Sequence, residues 1–391
     1  MLGICYNEIV IDSATDQSPR QALRNAARVV VKLGTNVVTT ARGEINRPLL
    51  EALAQEIVAR RRAGKSMLMI TSGAVRTGLA RLGLPAETAD VPTRQAAASV
   101  GQIELVAAYR EIFARLDQAV AQVLLTQADI SDPRRYLHLR NTLSTVLAND
   151  ALPIINENDP VSIQGVAIGE NDRLAALVAA KVDADLLVLL SDVEGLFTSD
   201  PRTDAAACLI DTVTSITRDV ERCARESTGG FGRGGMVAKV QAAKAAMNAG
   251  VYMVVARGTT PGALTRIVEG EQVGTLFVPR PSKLRSRKHR IGFAVSPKGR
   301  LVVDNGARKA LLERGSSLLA VGIEHVSGQF HQGDVVSVVD SSDTEIARGL
   351  VNYAADEVRK IRRCRTSEIE ARLGYCASDE VIHRDNLVLL Q

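Results

Sequence analysis

The feature that most constrains the fold is a repeated order in which an apolar segment of strand length ends in polar residues and leads to a helix. The clearest example is residues 152–177, where LPIIN runs into Glu157, Asn158 and Asp159, and GEND then opens an Ala/Leu-rich helix. In α/β sheets, ligands bind at the carboxyl ends of the strands. Either polar cluster alone is equally consistent with an Asx turn or a helix N-cap, but the two together favour a ligand-binding crevice.

The same order repeats over residues 28–279 and predicts a mostly parallel sheet. We predict strands at residues 29–38, 66–71, 119–126, 152–156, 186–191, 251–256 and 275–279, and helices near residues 48–63, 93–116, 133–149, 172–182 and 236–249. Strands and helices that alternate in this way form a parallel sheet covered by helices on both faces. Because 391 residues exceed the usual size of one core, a second domain is expected.

A change of composition beyond Val278 indicates this second domain. Residues 280–290 are basic and contain Pro and Ser, and the short β-like segments that follow are separated by Gly-containing turns. We therefore predict an N-terminal extension of unknown role at residues 1–27, an α/β domain at 28–279, a basic linker at 280–292 and a small β-rich domain at 293–391.

Composition narrows the class of protein. A net charge of +4 is small for this length, so the chain as a whole gives no argument for nucleic-acid binding. The five cysteines form no C-x-x-C pair, and no apolar run approaches the roughly 20 residues of a membrane-spanning helix. These features predict a cytoplasmic protein without membrane association and without a Cys/His metal site.

Two matches to nucleotide-binding motifs fail on their context. The segment ARRRAGKS at residues 59–66 resembles a phosphate-binding loop, but Ala59 replaces its first glycine and it runs from a helix into a strand, the reverse of the required order. Residues 230–235 match G-x-G-x-x-G, yet the polar ERCAREST precedes them where a strand is required. We therefore exclude both a P-loop and a Rossmann site.

Two lysines are candidates for binding an anion. Lys32 lies in the apolar strand VVVKLG, where an unpaired ammonium group is very costly to bury, and Gly34 permits close approach of the backbone. Lys239 follows the segment GGFGRGGM at a helix start, so that flexible backbone, a helix N-terminus and a cation converge. The alternatives are an edge-strand lysine facing solvent for Lys32 and a solvated lysine beside a flexible loop for Lys239.

Two further strands end in polar residues. Ser72 and its neighbours offer hydroxyl groups and N–H donors at a helix start, with a plain N-cap as the alternative. Ser191 and Asp192 suit contact with a nucleotide, although a structural turn is equally consistent. The histidines fall outside all these clusters and no Ser–His–Asp set is present. The pattern therefore predicts phosphoryl transfer, in which a protein mainly positions the reactants and spreads charge.

Together these segments resemble the amino-acid kinase family, from about Arg28 to the C-terminus. The matching segments, in order, are VVKLGTN, ITSGAV, LLTQADI, PIINENDPV, IGENDRLAAL, LLSDVEGLFTSDPR and GRGGMVAK, and the tail (VDNGARKALLERGSSLL, then GDVVSV) resembles a PUA domain. The resemblance implies a three-layer αβα sandwich followed by a small PUA-like domain. It is closest to the members that use ATP to phosphorylate the side-chain carboxylate of L-glutamate in the first step of proline biosynthesis.

The resemblance also assigns roles at the reaction centre. It implies that Lys32 and Lys239 flank the transferring phosphoryl group and that Asp172 holds both lysines in place. Mg²⁺ is expected to be ligated mainly through the nucleotide phosphates, without a metal site built by the protein. The ATP-binding positions that it implies are Lys32, Gly34, Ser191, Asp192, Arg233, Gly234, Gly235, Met236 and Lys239.

Glutamate binding is implied at Ser72, Gly73, Asp159 and Asn171. Asp159 suits the α-ammonium group, and the Asn171 amide suits a carboxylate. The sequence departs from the family pattern at Ser191 and Arg233, where many members have Thr, which leaves the role of Arg233 open. The resemblance also implies a homo-oligomer and feedback inhibition by proline, although no residue establishes either.

Two alternative functions remain open. One is another small-acid kinase of the same fold, against which the free-amine site at Asp159 and the PUA-like tail argue. The other is a PUA-type RNA-binding protein with a vestigial kinase body, which the basic linker and the arginines near residue 360 favour. Aromatic side chains that stack on bases are sparse in the tail, so nucleic-acid binding is not expected.

Overall fold

The computed structural model of the protein describes residues 18–86, 89–162, 170–226, 235–280 and 296–390. The chain divides into two compact units, one made of Met1–Gln127 and Thr142–Leu284 and the other of Ala128–Asn141 and Arg285–Gln391. Within the described ranges, no helix combines the length and the apolar character that crossing a membrane requires. Most of the predicted linker at 280–292 lies outside the described residues.

The first unit is built on an eight-stranded sheet in the order β3-β4-β2-β1-β5-β7-β8-β6. Neighbouring strands are parallel except β7 and β8, which are antiparallel. The strands are β1 Arg28–Leu33, β2 Ser66–Ile70, β3 Val120–Leu125, β4 Leu152–Glu157, β5 Leu186–Ser191, β6 Thr212–Val213, β7 Tyr252–Arg257 and β8 Thr275–Phe277. The helices up to residue 280 are α1 Thr35–Val38, α2 Arg47–Arg62, α3 Ala74–Leu82, α4 Val91–Ala114, α5 Gln127–Ser131, α6 Pro133–Ala148, α7 Glu170–Lys181, α8 Arg218–Glu226, α9 Met236–Asn248 and α10 Ala263–Val268.

Helices cover both faces of this sheet. Val29 and Val31 of β1 pack with Leu53 and Ile57 of α2 in one hydrophobic core of this unit. Val30, whose side chain points to the opposite face, is also completely buried, and α7 packs there against β1, β5 and α9. The alternating strand residues are thus buried on both sides, as expected for a parallel sheet. The predicted three-layer αβα sandwich is confirmed.

The prediction of one strand at residues 29–38 is wrong beyond Leu33. The chain leaves the sheet at Gly34, and residues 35–38 form the short helix α1. Val37 and Val38 are β-branched and apolar, which made the segment resemble a strand, but both side chains are buried in the core from a helical backbone. The strand therefore ends directly after Lys32 and Leu33.

The observed helices and strands are consistent with the exclusion of both nucleotide-binding motifs. The segment ARRRAGKS runs from the end of α2 into β2, which is the order that cannot present its N–H groups to a phosphate. Residues 221–226, which begin the polar segment ERCAREST, belong to α8, a helix where a Rossmann motif requires a strand.

Helices α3 and α4 approach so closely that two glycines form their contact. A Cβ atom at Gly78 would lie 1.7 Å from the carbonyl oxygen of Ala97, and one at Gly101 would lie 1.9 Å from that of Ala74. Because the obstructing atoms belong to the backbone, no side-chain rotation relieves the clash. The crossing fixes α4, and with it the neighbouring Gln102, beside the carboxyl end of β4.

We expect Gly101→Ala to lower the free energy of unfolding by about 3 kcal/mol, since α3 and α4 must move apart to admit the methyl group. Urea denaturation of the purified protein measures this change. Gly306→Ala is the matched control, because its Cβ would lie 3.3 Å from Asp304 Oδ1 and meets no backbone atom within 4 Å. A loss at Gly101 no larger than that at Gly306 would contradict the tight crossing.

The second unit is a five-stranded sheet in the order β10-β9-β11-β12-β13 with its own hydrophobic core. This confirms the predicted small β-rich domain. Its strands are β9 Gly299–Val303, β10 Ile323–Gly328, β11 Val335–Val339, β12 Glu345–Leu350 and β13 Leu387–Leu389, and its helices are α11 Asn305–Arg314, α12 Ala355–Ile361 and α13 Ile369–Leu373.

Residues 128–141, which include most of α5 and the first half of α6, group with this second unit. Asn141 Nδ2 donates to Asn352 Oδ1 at 3.4 Å, and Asn386 Nδ2 donates to Asn141 Oδ1 at 3.3 Å. The prediction from sequence placed this segment inside the α/β domain, whereas its contacts group it with the C-terminal unit.

The end of the predicted N-terminal extension is part of the first unit. Residues 1–17 lie outside the described part of the chain, but Pro19–Asn25 form a 3₁₀ helix in which Arg20 and Leu23 are buried. Arg20 donates to the Asp211 carboxylate at 2.7 Å and to the Gly274 carbonyl at 2.8 Å. These contacts attach the segment to the chain around β6 and β8.

Candidate active site

Several of the candidate residues predicted from sequence lie at or next to the carboxyl ends of four neighbouring strands. In the sheet order β4-β2-β1-β5, β4 ends at Asn156 and Glu157, β2 is followed by Thr71 and Ser72, β1 contains Lys32 and β5 ends at Ser191. Because these strands are parallel, their carboxyl ends line one edge. The edge therefore has an amide-rich side at β4 and β2, a cation at the centre and Ser191 with Asp192 on the other side.

Three charged side chains meet at the centre of this edge. Lys32 Nζ donates to Asp172 Oδ1 at 2.5 Å, and Lys239 Nζ donates to Asp172 Oδ2 at 3.2 Å. All three residues are buried, with exposed fractions of 7%, 2% and 9% for Lys32, Asp172 and Lys239. The structure thus brings together two lysines that are distant in sequence, and the solvated alternatives for both lysines do not apply.

The electrostatics of this group favour binding of an anion. Burial lowers the pKa of Lys32, and the nearby Lys239 ammonium adds to this effect, while Asp172 opposes it. Burial alone would raise the pKa of Asp172, but the two ammonium groups outweigh burial and keep this pKa below its ordinary value. Two buried ammonium groups share one carboxylate, so an incoming anion supplies the missing negative charge.

The Asp192 carboxylate is held by a network on the β5 side. Asn36 Nδ2 donates to Asp192 Oδ2 at 2.6 Å, Ser191 Oγ donates to Asp192 Oδ1 at 2.9 Å, and Arg76 Nη1 donates to Asn36 Oδ1 at 2.6 Å. Partial burial acts to raise the pKa of Asp192, but the hydrogen bonds from Asn36 and Ser191 lower it overall. Arg76 was not predicted, because it lies on α3 and only the tertiary fold brings it here.

The glycines predicted to lie near a nucleotide occupy two helix starts. Gly34 precedes α1, and its N–H donates to the Leu190 carbonyl at 2.8 Å, which joins the ends of β1 and β5. Gly235 is the N-cap of α9, and the buried Met236 is the first residue of that helix. Arg233 and Gly234 lie outside the described residues.

Hydrogen bonds connect the polar side chains on the amide-rich side of the edge. Asn171 Nδ2 donates to Ser72 Oγ at 2.9 Å, to the Thr71 carbonyl at 3.2 Å and to Asn156 Oδ1 at 3.3 Å. Asn156 Nδ2 in turn donates to Gln102 Oε1 at 2.8 Å. Gln102 was not predicted, since it lies on the Ala-rich helix α4 with no polar cluster around it in sequence.

Gly73 and Asp159 complete the predicted glutamate-binding set. Gly73 is the N-cap of α3 with φ of +103°, a backbone conformation that favours glycine and turns the chain sharply after Ser72. Asp159 is buried in a short 3₁₀ turn after β4. It lines a cavity of about 610 Å³ together with Gln102 and Glu157, so the cavity adjoins the amide cluster.

No group of three or more His, Cys, Asp or Glu side chains is arranged to hold a metal ion in the described part of the chain.

Known proteins match the chain over nearly its whole length. Residues 27–257 match the amino acid kinase family, and residues 299–373 match the PUA domain. A glutamate 5-kinase of Myxococcus xanthus is 47% identical over 371 residues, which are 95% of this chain and 98% of that protein. A glutamate 5-kinase of Caldanaerobacter subterraneus is 45% identical over 364 residues, which are 93% of this chain and 98% of that protein.

A solved UMP kinase from Bacillus anthracis aligns with 65% of this chain and 96% of its own at 20% identity, with a TM-score of 0.47, which is too distant to support an inference. The family match and the two relatives are much stronger. The family match over residues 27–257 includes Lys32, Asp172 and Lys239. The chain belongs to the amino acid kinase family and, within it, to the group of the glutamate 5-kinases.

Proposed function

We propose that the protein transfers the γ-phosphoryl group of ATP to the side-chain carboxylate of L-glutamate, giving L-glutamyl 5-phosphate and ADP. This reaction is the first step of proline biosynthesis. The observation that carries the proposal is the buried group of Lys32, Asp172 and Lys239 between the amide-rich side and the Asp192 side of one sheet edge. Relatives that are 43% and 47% identical are glutamate 5-kinases, which supports the choice of substrate.

The residues fit a transfer that needs charge neutralisation and no general base. A side-chain carboxylate with a pKa of about 4.3 is already ionised at neutral pH, so the nucleophile needs no proton removal. Lys32 and Lys239 would face the transferring phosphoryl group and offset its charge. Asp172, with both oxygens bonded to the lysines, would orient them and keep the lysines from repelling each other.

The two sides of the edge would bind the two substrates. Ser72, Gly73, Asp159 and Asn171 would bind glutamate beside β2 and β4, with the buried Asp159 suited to the α-ammonium group. ATP would approach from β5, past Asp192 and the start of α9. Mg²⁺ would enter with the nucleotide and be ligated mainly by its phosphate oxygens, which is how this ion binds in many phosphoryl-transfer enzymes.

The two alternative functions are less well supported. A PUA-type RNA-binding protein with a vestigial kinase body does not require an intact buried lysine–carboxylate–lysine group, yet this chain retains one. Another small-acid kinase would share that group, so substrate choice must separate it from the proposed enzyme.

A coupled assay of ADP release with ATP, Mg²⁺ and L-glutamate tests the proposal directly. We expect turnover with glutamate and at least about 100-fold lower kcat/KM with N-acetylglutamate, because an acylated nitrogen has lost its charge and no longer pairs with Asp159. Equal or better use of N-acetylglutamate would favour the alternative kinase. Adding proline to the same assay tests feedback inhibition, and light scattering of the purified protein tests the homo-oligomer that the resemblance implies.

The lowered pKa of Lys32 predicts the alkaline side of the pH profile. Nucleotide phosphates favour the charged ammonium group, so the affinity for ATP falls as pH rises through the pKa that this lysine has before ATP binds. We therefore expect kcat/KM for ATP, measured at saturating glutamate, to decline at a pH below the ordinary lysine value of 10.5. Lys32→Arg stays charged throughout, so its decline should move to higher pH. An unchanged profile in this variant would assign the decline to another group.

A further inference from the structure

We infer that Asn171 presents a hydrogen-bond acceptor to the substrate, its Oδ1 atom, and that Gln102 is the positioning residue that keeps the amide in this orientation. The inference rests on the proposed function and identifies which group of the amino acid the site recognises. It concerns residues on α4, α7 and β4 that are connected by the hydrogen bonds of the amide-rich side.

One backbone atom determines which way the side-chain amides of Asn171, Asn156 and Gln102 are oriented. The Thr71 carbonyl oxygen only accepts hydrogen bonds, so the Asn171 atom that lies 3.2 Å from it is the Nδ2 donor. Since Asn171 Nδ2 also faces Asn156 at 3.3 Å, Asn156 must offer its oxygen there. Asn156 Nδ2 then faces Gln102, which must offer Oε1. Each amide therefore has a single orientation that satisfies its neighbours.

This arrangement leaves two groups available to a ligand. Both hydrogens of Asn171 Nδ2 are used within the protein, while Asn171 Oδ1 is buried and accepts no hydrogen bond from the residues that the structure describes. A buried acceptor without a partner is unfavourable, and a substrate N–H group would satisfy it. Ser72 Oγ accepts from Asn171, so its own O–H is available to donate to a carboxylate.

The Ser72 hydroxyl is a donor and Asn171 Oδ1 is an acceptor, so the two groups suit different parts of an amino acid. Ser72 would serve a carboxylate, and Asn171 would serve the ammonium group together with the negatively charged Asp159. This assignment replaces the expectation from the resemblance that the Asn171 amide serves a carboxylate. It predicts discrimination against dicarboxylic acids that lack the amine, since these leave Asn171 Oδ1 unsatisfied.

Glutarate, which is glutamate without its amine, tests the assignment. For the wild type and for Asn171→Leu, we would measure kcat/KM with glutarate as the substrate and the inhibition constant of glutarate against glutamate. Both constants are then compared with kcat/KM and KM for glutamate in the same protein. We expect Asn171→Leu to weaken glutamate use by on the order of 100-fold and to change the glutarate constants by less than about 5-fold, so that discrimination collapses. Equal losses for both acids would overturn the acceptor role and indicate a carboxylate contact or a structural defect.

Gln102 is tested with a conservative pair of variants. Gln102→Glu keeps an acceptor for Asn156 Nδ2 and should retain discrimination within about 3-fold, whereas Gln102→Leu lets Asn156 rotate and should lower it by about 10-fold. Equal discrimination in the two variants would overturn the positioning role. Absence of glutamate turnover in the wild-type protein would instead refute the proposed function, so the two failures are distinct.

Discussion

Replacing either buried lysine by alanine is expected to lower kcat by about 100-fold or more, with a smaller change in the KM for glutamate. Lys32 and Lys239 both bond to the Asp172 carboxylate, so each is fixed before the nucleotide arrives. A preorganised positive charge stabilises the transferring phosphoryl group most in the transition state, where negative charge develops. Its loss should therefore lower kcat. Steady-state measurement of ADP release for Lys32→Ala and Lys239→Ala checks the prediction.

Lys244 provides the matched control on the same helix as Lys239. Its side chain is 58% exposed and pairs with Glu221 at 3.5 Å on the surface, and such pairs contribute little. Lys244→Ala should therefore keep kcat within about 2-fold of the wild type. Near-normal turnover in Lys32→Ala or Lys239→Ala, in a variant whose thermal unfolding is unchanged, would show that the lysine does not act on the transferring group.

The positions of most strands along the chain and the central charged residues were predictable because they leave strong local signals. An ammonium group in the apolar strand around Lys32 demands a partner or a ligand, and polar residues after Ile155 and Leu190 mark the carboxyl ends of buried strands. The helices predicted at residues 172–182 and 236–249 then have Asp172 and Lys239 in their first turns. The meeting of the three side chains follows from the parallel sheet, whose strand ends share one edge.

The features that escaped prediction depend on tertiary contacts. Val37 and Val38 have strand-like side chains, but burial from a helical turn decided their conformation. Gln102 and Arg76 lie on helices with ordinary local sequence, and only the close crossing of α3 and α4 places both near the site. Likewise, nothing local in residues 128–141 indicates that they pack with the C-terminal unit.

Asp172→Asn is expected to destabilise the nucleotide-free protein by about 3 kcal/mol, because it removes the only carboxylate bonded to both buried ammonium groups in the described part of the chain. Urea denaturation at neutral pH measures the loss. Asp150→Asn is the control, since Asp150 is 93% exposed and pairs with Arg61 at the surface. That variant should change the free energy of unfolding by less than about 1 kcal/mol.

The pH dependence distinguishes loss of charge balance from loss of packing in Asp172→Asn. Without the carboxylate, the Lys32 ammonium group favours its charged form less, so the pKa of Lys32 in the folded state falls further below that of the unfolded chain. Stability then rises with pH above this lowered pKa, because the unfolded state binds more protons. The difference from the wild type should therefore shrink at alkaline pH, and added inorganic phosphate should stabilise the variant more than the wild type. A loss of stability that is independent of both pH and phosphate would mean that Asp172 serves as a packing residue, and the two lysines would then need another explanation for their burial.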